Sequence, residues 1–239
     1  MQRLSIVIPA FNEEAFIGTL LKTILAVDTE SLGFEKEIIV VNDGSKDGTR
    51  DAVRRFPSVK LIDQENQGKG AAVQRGIGEA TGDFVLVQDA DLEYAPADYR
   101  PMLQAILSGA SCVYGSRTLG QLRTRGWTVT PGRHPQQSLG PWLAGWVLSG
   151  VTFLLYGIWI SDTLTAYKLY PRSVFSWMKV KTHGFETDHE ITAKLIRSGI
   201  KIREVPISYQ PRSVEEGKKI KASDGLVAVW TLLRFRSLN

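Results

Sequence analysis

The first half of the chain alternates short apolar runs with longer stretches in which apolar residues recur every three or four positions. The runs cover residues 4–8, 37–41, 59–63, 84–87 and 112–115. Of these, residues 84–87 form a continuous apolar run, which predicts a strand that is buried on both faces of a sheet. Between the first two runs, Ile17, Leu20, Leu21 and Ile24 follow a helical period. Five strands separated by helices predict an α/β fold with a mostly parallel sheet flanked by helices.

The second half contains a run of 27 residues, 135–161, without any charged side chain. A run of this length is long enough to cross a bilayer. On a helix, the small and polar residues share one face: Gly145, Ser149, Thr152 and Tyr156. Larger apolar residues lie opposite: Leu143, Val147, Val151, Leu154 and Ile158. We interpret the run as a helix that lies on a membrane or over the entrance to a ligand site, with a plain core helix as the alternative.

Three further elements follow this run. Alternation over residues 163–170 predicts a half-buried strand, and residues 184–198 predict a helix with acidic residues near its start. Residues 201–209 predict an edge strand, a position in which Pro206 is tolerated. Residues 224–236 predict a final apolar helix with a basic end.

Composition and charge narrow the function classes. The chain has 239 residues, of which 43% are hydrophobic and 23% charged, as in ordinary globular proteins. Its single cysteine, Cys112, excludes an intrachain disulfide and is expected to be buried. The net charge of +4 suits an anionic substrate or a membrane surface and is too weak to indicate nucleic acid. The first apolar run is too short for a signal peptide, so we expect a cytoplasmic protein.

Polar residues follow the predicted strands. The fourth strand is predicted to end at Asp89, and Asp89 and Asp91 can both reach one hard cation. Asp43, after the second strand, has a carboxylate suited to the N–H edge of a nucleobase. Gly68, Lys69 and Gly70 can bring backbone N–H groups and an ammonium near a phosphate or a sugar. Because the ends of parallel strands share one edge, these residues together predict a site for a nucleoside diphosphate and a metal.

Five stretches of the chain resemble the inverting family 2 glycosyltransferases of GT-A fold, a Rossmann-like α/β architecture. They are SIVIPAFNE (5–13), VVNDGSKDGT (40–49), NQGKGAA (66–72), QDAD (88–91) and GSR (115–117). Their order is similar to that in dolichyl- and polyprenyl-phosphate mannosyl- and glucosyltransferases. The resemblance implies a single domain over residues 1–239. It would contain a nucleotide-sugar-binding half (1–117) and an acceptor-binding half with membrane-interface helices (118–239).

The resemblance also implies which residues bind the donor, a UDP- or GDP-hexose. The expected nucleotide-sugar site comprises Pro9, Ala10, Asn12, Glu13, Asp43, Gly68, Lys69, Gly70, Asp89 and Ala90. Asp89 and Asp91 would bind Mg²⁺ or Mn²⁺ on the diphosphate. Arg117 would lie near the phosphates or the acceptor, and Arg212 and Lys219 match the family's phosphate-gripping closing loop.

The acceptor is expected to be a polyprenyl phosphate in a membrane. Residues 117–137 hold four arginines and no acid, which we interpret either as a plain mobile basic loop or as a segment suited to an anionic phosphate acceptor. In inverting enzymes an acid near the helix at 184–198 activates the acceptor, and Glu186, Asp188 and Glu190 are the candidates. A phosphate acceptor needs little such help, because its second pKa is about 6.

These expectations describe a metal-dependent inverting hexosyltransferase, peripheral on the cytoplasmic face of a membrane. Two alternatives remain open: an enzyme of the same family with a hydroxyl acceptor, and a sugar-nucleotide-binding membrane protein without catalysis. The sequence leaves the base, the sugar, the catalytic acid and the oligomeric state undetermined.

Overall fold

The computed structural model describes residues 1–211 and 222–237. Its seven strands are β1 (Gln2–Ala10), β2 (Phe34–Asp43), β3 (Val59–Gln64), β4 (Phe84–Val87), β5 (Cys112–Ser116), β6 (Lys168–Pro171) and β7 (Ile202–Pro206). Its helices are α1 (Glu14–Ala26), α2 (Thr49–Arg54), α3 (Lys69–Glu79), α4 (Tyr99–Leu107), α5 (Arg117–Arg125), α6 (Leu139–Tyr156), α7 (Thr187–Arg197) and α8 (Ala222–Ser237).

The strands form one sheet in the order β3-β2-β1-β4-β6-β5-β7. Strand β1 pairs in parallel with β2 and β4, and β2 pairs in parallel with β3. Strand β6 lies antiparallel between β4 and β5, so β5 runs in the same direction as β4. The predicted parallel arrangement of the first five strands is therefore confirmed. The strand order reverses at β1, and such a switch point opens a ligand crevice at the carboxyl ends of the strands.

Several strand limits differ from the prediction; β2 covers Phe34–Asp43 rather than residues 37–41, and β7 covers Ile202–Pro206 rather than residues 201–209. Strand β1 continues through Pro9 to Ala10, because the nitrogen of Pro9 faces β4 beyond the point where pairing with β4 stops. That pairing ends at Val7 and Val87, so β4 stops two residues before Asp89. The strand predicted over residues 163–170 begins only at Lys168, since the residues before it form a buried loop rather than a ladder. Strand β7 is an edge strand, as predicted, and ends at Pro206.

The interpretation of residues 117–137 as a loop is wrong for the first nine of them, which form α5. The Ser116 hydroxyl accepts a hydrogen bond from the N–H of Leu119 and so caps the helix. Gly120 lies so close to the Ile207 carbonyl that a Cβ would collide with it. Capping at one end and close packing in the middle thus hold a basic stretch in a helix against β7.

The uncharged run forms α6, which packs with α7 and α8 around Leu148, Ala193, Ala228, Leu232 and Phe235. The inward face of α6 carries Ser149 and Thr152, as the faces drawn from the sequence predict. The opposite face exposes the large apolar side chains of Leu143, Val147 and Leu154, and Ile158 is exposed just after the helix ends. Val151, which was predicted there, is half-buried. Within the described chain, α6 is the one helix long and apolar enough to cross a membrane.

Helix α8 extends the exposed apolar surface. Its inward side chains are Ala228, Thr231, Leu232 and Phe235, whereas Leu226, Val227, Trp230 and Leu233 face outward. The Tyr156 hydroxyl of α6 donates a hydrogen bond to the Leu232 carbonyl of α8, so the two helices are fixed to each other. We call the outward apolar side chains of the two helices the α6/α8 face.

Candidate active site

The loops after β1 and β2 are tied together by their own polar residues. Asn12 has a left-handed backbone (φ 53°), a conformation that asparagine tolerates better than most residues. Its backbone N–H donates to the Ser45 hydroxyl, and its side-chain oxygen accepts from the N–H of Lys46. The N–H of Glu13 donates to the Thr49 hydroxyl. Asn12 and Glu13 therefore shape the edge around buried Ala10 and Pro9.

Asp43 is buried at the end of β2 and holds the loop that follows β3. Its carboxylate accepts hydrogen bonds from the Gln64 side chain and from the backbone N–H groups of Gln67 and Gly68. Three donors leave capacity for a further one, because a carboxylate has about four acceptor positions. A role for Asp43 in binding a base stays a prediction, and the structure adds an architectural role.

The glycines on either side of Lys69 permit close packing between α3 and the segment before α7. A Cβ on Gly68 would lie 2.8 Å from the His183 carbonyl oxygen, and one on Gly70 would collide with the Thr187 hydroxyl. The N–H of Ala71 also donates to His183. The amino terminus of α3 is thus held against the amino terminus of α7, which fixes the position of Lys69.

Asp89 and Asp91, the predicted metal ligands, follow β4 at the same edge of the sheet. Lys69 Nζ lies 2.6 Å from Asp89 Oδ1. Burial alone would lower the pKa of Lys69, but the carboxylates of Asp89, Asp188 and Asp91 outweigh it and raise the pKa. The described chain contains no group of three His, Cys, Asp or Glu residues arranged for a metal. Two carboxylates suit a hard cation whose other ligands come from a diphosphate.

The segment that carries these carboxylates is held by hydrogen bonds at both of its ends, through Gln88 and through Glu93. Fully buried Gln88 accepts hydrogen bonds from the hydroxyls of Tyr99 and Tyr167 and donates to the Asp89 carbonyl. Ala90 is buried. Glu93 accepts a hydrogen bond from the Tyr209 hydroxyl, and its carbonyl accepts from the N–H of Gln210. The backbone around Asp89 and Asp91 is thus preorganised for binding.

The three candidate acids have different surroundings. Glu190 is fully buried, pairs with Lys194 and accepts from the backbone N–H groups of Lys181 and Thr182, so it braces the loop before α7. Glu186 accepts from the N–H of Gly184. Asp188 lies 3.4 Å from the ammonium of Lys168 and acts on the pKa of Lys69. Of the three, Asp188 is therefore the acid nearest the Lys69–Asp89 pair in electrostatic terms.

Sequence reasoning missed Lys168, a fully buried lysine at the start of β6. Its ammonium lies over the ring of Tyr114 at 5.2 Å and beside Asp188. Burial is the largest influence on its pKa and lowers it, although Asp188 counteracts this shift. A buried charge is costly and marks a functional-site candidate. The available signal was that Lys168 is the one charged residue within residues 163–171.

Arg117 is engaged by partners that the sequence did not indicate. Its guanidinium makes two hydrogen bonds to Asp162, and its Cζ lies 4.9 Å from the ring centre of Tyr209 and 6.0 Å from that of Tyr94. Burial would lower the pKa of Arg117, but the Asp162 carboxylate raises it. Arg117 therefore contacts Tyr209, which precedes Arg212 and Lys219 in the sequence. Those two residues lie outside the described residues.

The profile of the family named glycosyl transferase family 2 matches residues 5–175. The chain belongs to glycosyl transferase family 2. This glycosyltransferase is 33% identical to a dolichyl-phosphate beta-glucosyltransferase of Trichomonas vaginalis, over 95% of this chain and 71% of that protein. It is 29% identical to a dolichol-phosphate mannosyltransferase of Pyrococcus furiosus, over 90% of this chain and 59% of that protein. The chain thus spans between about half and three quarters of such relatives.

The fold of this family 2 glycosyltransferase matches solved GT-A structures. A glucosyl-3-phosphoglycerate synthase from Mycobacterium tuberculosis in complex with UDP aligns with a TM-score of 0.72 at 19% identity. The alignment covers all of this chain and 81% of that one. The same enzyme in complex with Mn²⁺, UDP and its product aligns with a TM-score of 0.67. The GT-A prediction is confirmed, whereas the binding roles of single residues and the division at residue 117 stay predictions.

Proposed function

We propose that this glycosyltransferase transfers a hexose from a nucleotide-diphosphate sugar to a polyprenyl phosphate at a membrane surface. The observation that carries the proposal is a combination within one domain. A preorganised pair of carboxylates, Asp89 and Asp91, lies at the ligand edge of the sheet, and the α6/α8 face exposes large apolar side chains. The names of the Trichomonas and Pyrococcus relatives, which act on dolichyl phosphate, support this acceptor class.

The reaction follows from the groups assembled at the edge. An oxygen of the acceptor phosphate forms a bond to the anomeric carbon while the bond from that carbon to the donor diphosphate breaks. A nucleoside diphosphate leaves, and an α-linked donor gives a β-linked lipid-phosphate sugar. Asp89 and Asp91 would hold Mg²⁺ or Mn²⁺, and this cation would neutralise the charge that develops on the leaving diphosphate. Complexes of the Mycobacterium enzyme with Mn²⁺ or Mg²⁺ and UDP support the use of a divalent metal.

In this proposal, the acids near α7 are not needed to remove a proton from the acceptor. Because the second pKa of a phosphate is about 6, the acceptor is largely dianionic near neutral pH and is already a nucleophile. Asp188 pairs with Lys168, and Glu190 pairs with Lys194. Both carboxylates are thus paired with a lysine, and Glu186, the third candidate, accepts a hydrogen bond from the backbone N–H of Gly184. Arg117, Arg212 and Lys219 would steady the donor or acceptor phosphates.

A donor screen tests the proposal. The full chain is incubated with vesicles that contain a polyprenyl phosphate and with radiolabelled UDP- and GDP-hexoses, in Mg²⁺ or Mn²⁺. We expect label to enter the lipid phase, and the productive donor identifies the base and the sugar. Label in a water-soluble glycoside would favour a hydroxyl acceptor, and donor binding without transfer would favour a non-catalytic protein; either result contradicts the proposal.

The metal role has its own variants. Asp89→Asn and Asp91→Asn should each lower turnover by about a hundredfold or more, because they weaken stabilisation of the leaving group. Asp51→Asn, an exposed position on α2, is the matched control and should leave turnover unchanged. Full turnover in excess EDTA would contradict the metal role. A peripheral position on the cytoplasmic face of the membrane stays a prediction.

A further inference from the structure

Four charged side chains of alternating sign connect the core to the edge of the sheet. Lys168 pairs with Asp188 at 3.4 Å, and Lys69 pairs with Asp89 at 2.6 Å. The two pairs influence each other. The Asp188 carboxylate raises the pKa of Lys69, and the Lys69 ammonium lowers the pKa of Lys168. We call these four residues the charge row.

The surroundings restrict where the ammonium of Lys69 can lie. The packing of Gly68 and Gly70 against His183 and Thr187 fixes the backbone on both sides of Lys69. The ammonium also lies 5.6 Å from the ring centre of Phe185, in the segment just before α7. Its side chain is only 18% exposed. Asp89 is therefore the carboxylate in contact with this ammonium, and Asp188 and Asp91 act on it electrostatically.

The charge balance of this cluster bears on cation binding. The charge row together with Asp91 contains three carboxylates and two ammonium groups, so its net charge is −1. A divalent cation alone would reverse that charge and would lie close to the Lys69 ammonium in a partly buried site, where repulsion is strong. A cation that arrives with a diphosphate brings compensating negative charge. Lys69 thus disfavours binding of the cation alone and permits binding of the cation together with a diphosphate.

We propose that Lys69 is a positioning residue that couples cation binding to nucleotide binding. Its ammonium competes with a divalent cation for Asp89, so that the cation binds tightly only together with a diphosphate. When the cation and the diphosphate are bound, the diphosphate and Asp188 are the anions available to Lys69, and Lys168 pairs with Asp188 from the buried side. This inference rests on the proposed use of Asp89 and Asp91 as metal ligands.

Mn²⁺ binding to the full chain, measured by electron paramagnetic resonance, tests the coupling without any transfer reaction. The wild type should bind Mn²⁺ weakly alone and much more tightly with UDP or GDP. Lys69→Met should lower the Kd for Mn²⁺ alone by about tenfold or more, because the competing positive charge is gone. The same variant should reduce the gain that the nucleotide brings. Lys69→Arg keeps the charge and should retain the wild-type pattern.

The control is Lys60→Met, which removes another lysine paired with a carboxylate, Glu79, and should leave Mn²⁺ binding unchanged. Circular dichroism checks that each variant is folded. The inference is overturned if Lys69→Met binds Mn²⁺ alone no better than the wild type and instead loses affinity for the nucleotide alone. That result would make Lys69 a simple phosphate ligand. Failure of the wild type to bind Mn²⁺ with either nucleotide would instead remove the metal from the proposed function, whatever Lys69 does.

Discussion

The ligand edge of the sheet and the α6/α8 face use their side chains in opposite ways. At the edge, the carboxylates of Asp43, Asp89 and Asp188 are each paired with a hydrogen-bond donor or a cation. The side chain of Gln88 accepts hydrogen bonds from two tyrosine hydroxyls and so holds the backbone just before Asp89. On the α6/α8 face, Leu154 is 79% exposed and Trp230 is 64% exposed. The polar groups of a binding site must already have hydrogen-bond partners if a ligand is to bind with little rearrangement of the protein. An apolar surface of this kind gains free energy when something apolar covers it.

The largest loss of stability is expected at Glu190, the fully buried carboxylate that pairs with Lys194. Glu190→Gln should destabilise the protein by about 3 kcal/mol near neutral pH, because it leaves the Lys194 ammonium without its carboxylate in the interior. Glu186→Gln, at a half-buried position four residues away, should cost no more than about 0.5 kcal/mol. Urea unfolding of both variants measures the difference. Equal losses would show that Glu190 is not the brace of this region.

The same variant has a defined pH dependence. Burial alone would raise the pKa of Glu190, but hydrogen bonds from Lys194, Thr182 and Lys181 outweigh it and lower the pKa. A carboxyl group with a lowered pKa contributes stability above its unfolded value, and that contribution is lost as the pH falls through the folded value. The stability difference between wild type and Glu190→Gln should therefore be full near neutral pH and shrink under acidic conditions. A difference that grows on acidification would contradict this assignment.

The next effect concerns the close contact between α3 and α7. Gly70→Ala should cost about 2 to 3 kcal/mol, because the new Cβ meets the Thr187 hydroxyl and the Gly184 carbonyl. Gly78→Ala lies on the same helix with open space around it and should stabilise by up to about 1 kcal/mol. Thermal unfolding of the pair separates packing from helix propensity. If both variants gain stability, the two helices do not approach each other as closely as described.

The sequence was sufficient for the parts of the fold that depend on local pattern. Short, mainly apolar segments located β1 to β5, and the helical period separated the inward Ser149 from the outward Leu154. The insertion of β6 between β4 and β5 was not visible, because nothing within residues 168–171 encodes their neighbours in the sheet. Strand ends were also misplaced where a partner strand, rather than the residue itself, ends the pairing.

The same limit applies to the candidate site. Motif residues such as Asp89 and Lys69 could be named because their spacing is local. Their partnership with each other, and that of Arg117 with Asp162, joins residues 20 and 45 positions apart, which no local pattern encodes. Lys168 was missed for a related reason: its burial becomes meaningful only once Asp188 lies beside it.

Substitutions on the α6/α8 face should have the smallest effect on the stability of the fold. They also test most directly whether this face, unlike the ligand edge, binds a lipid surface. Leu154→Ser should weaken binding to vesicles by about tenfold, because a buried leucine contributes at least about 1.5 kcal/mol, while the free energy of unfolding changes by no more than about 0.5 kcal/mol. Trp230→Ser should act similarly from α8. Leu107→Ser, an equally apolar and 55% exposed position on α4, is the control and should leave vesicle binding unchanged. Vesicle sedimentation measures the binding. Equal losses at Leu107 and Leu154 would mean that exposure alone, rather than this face, determines attachment to the lipid.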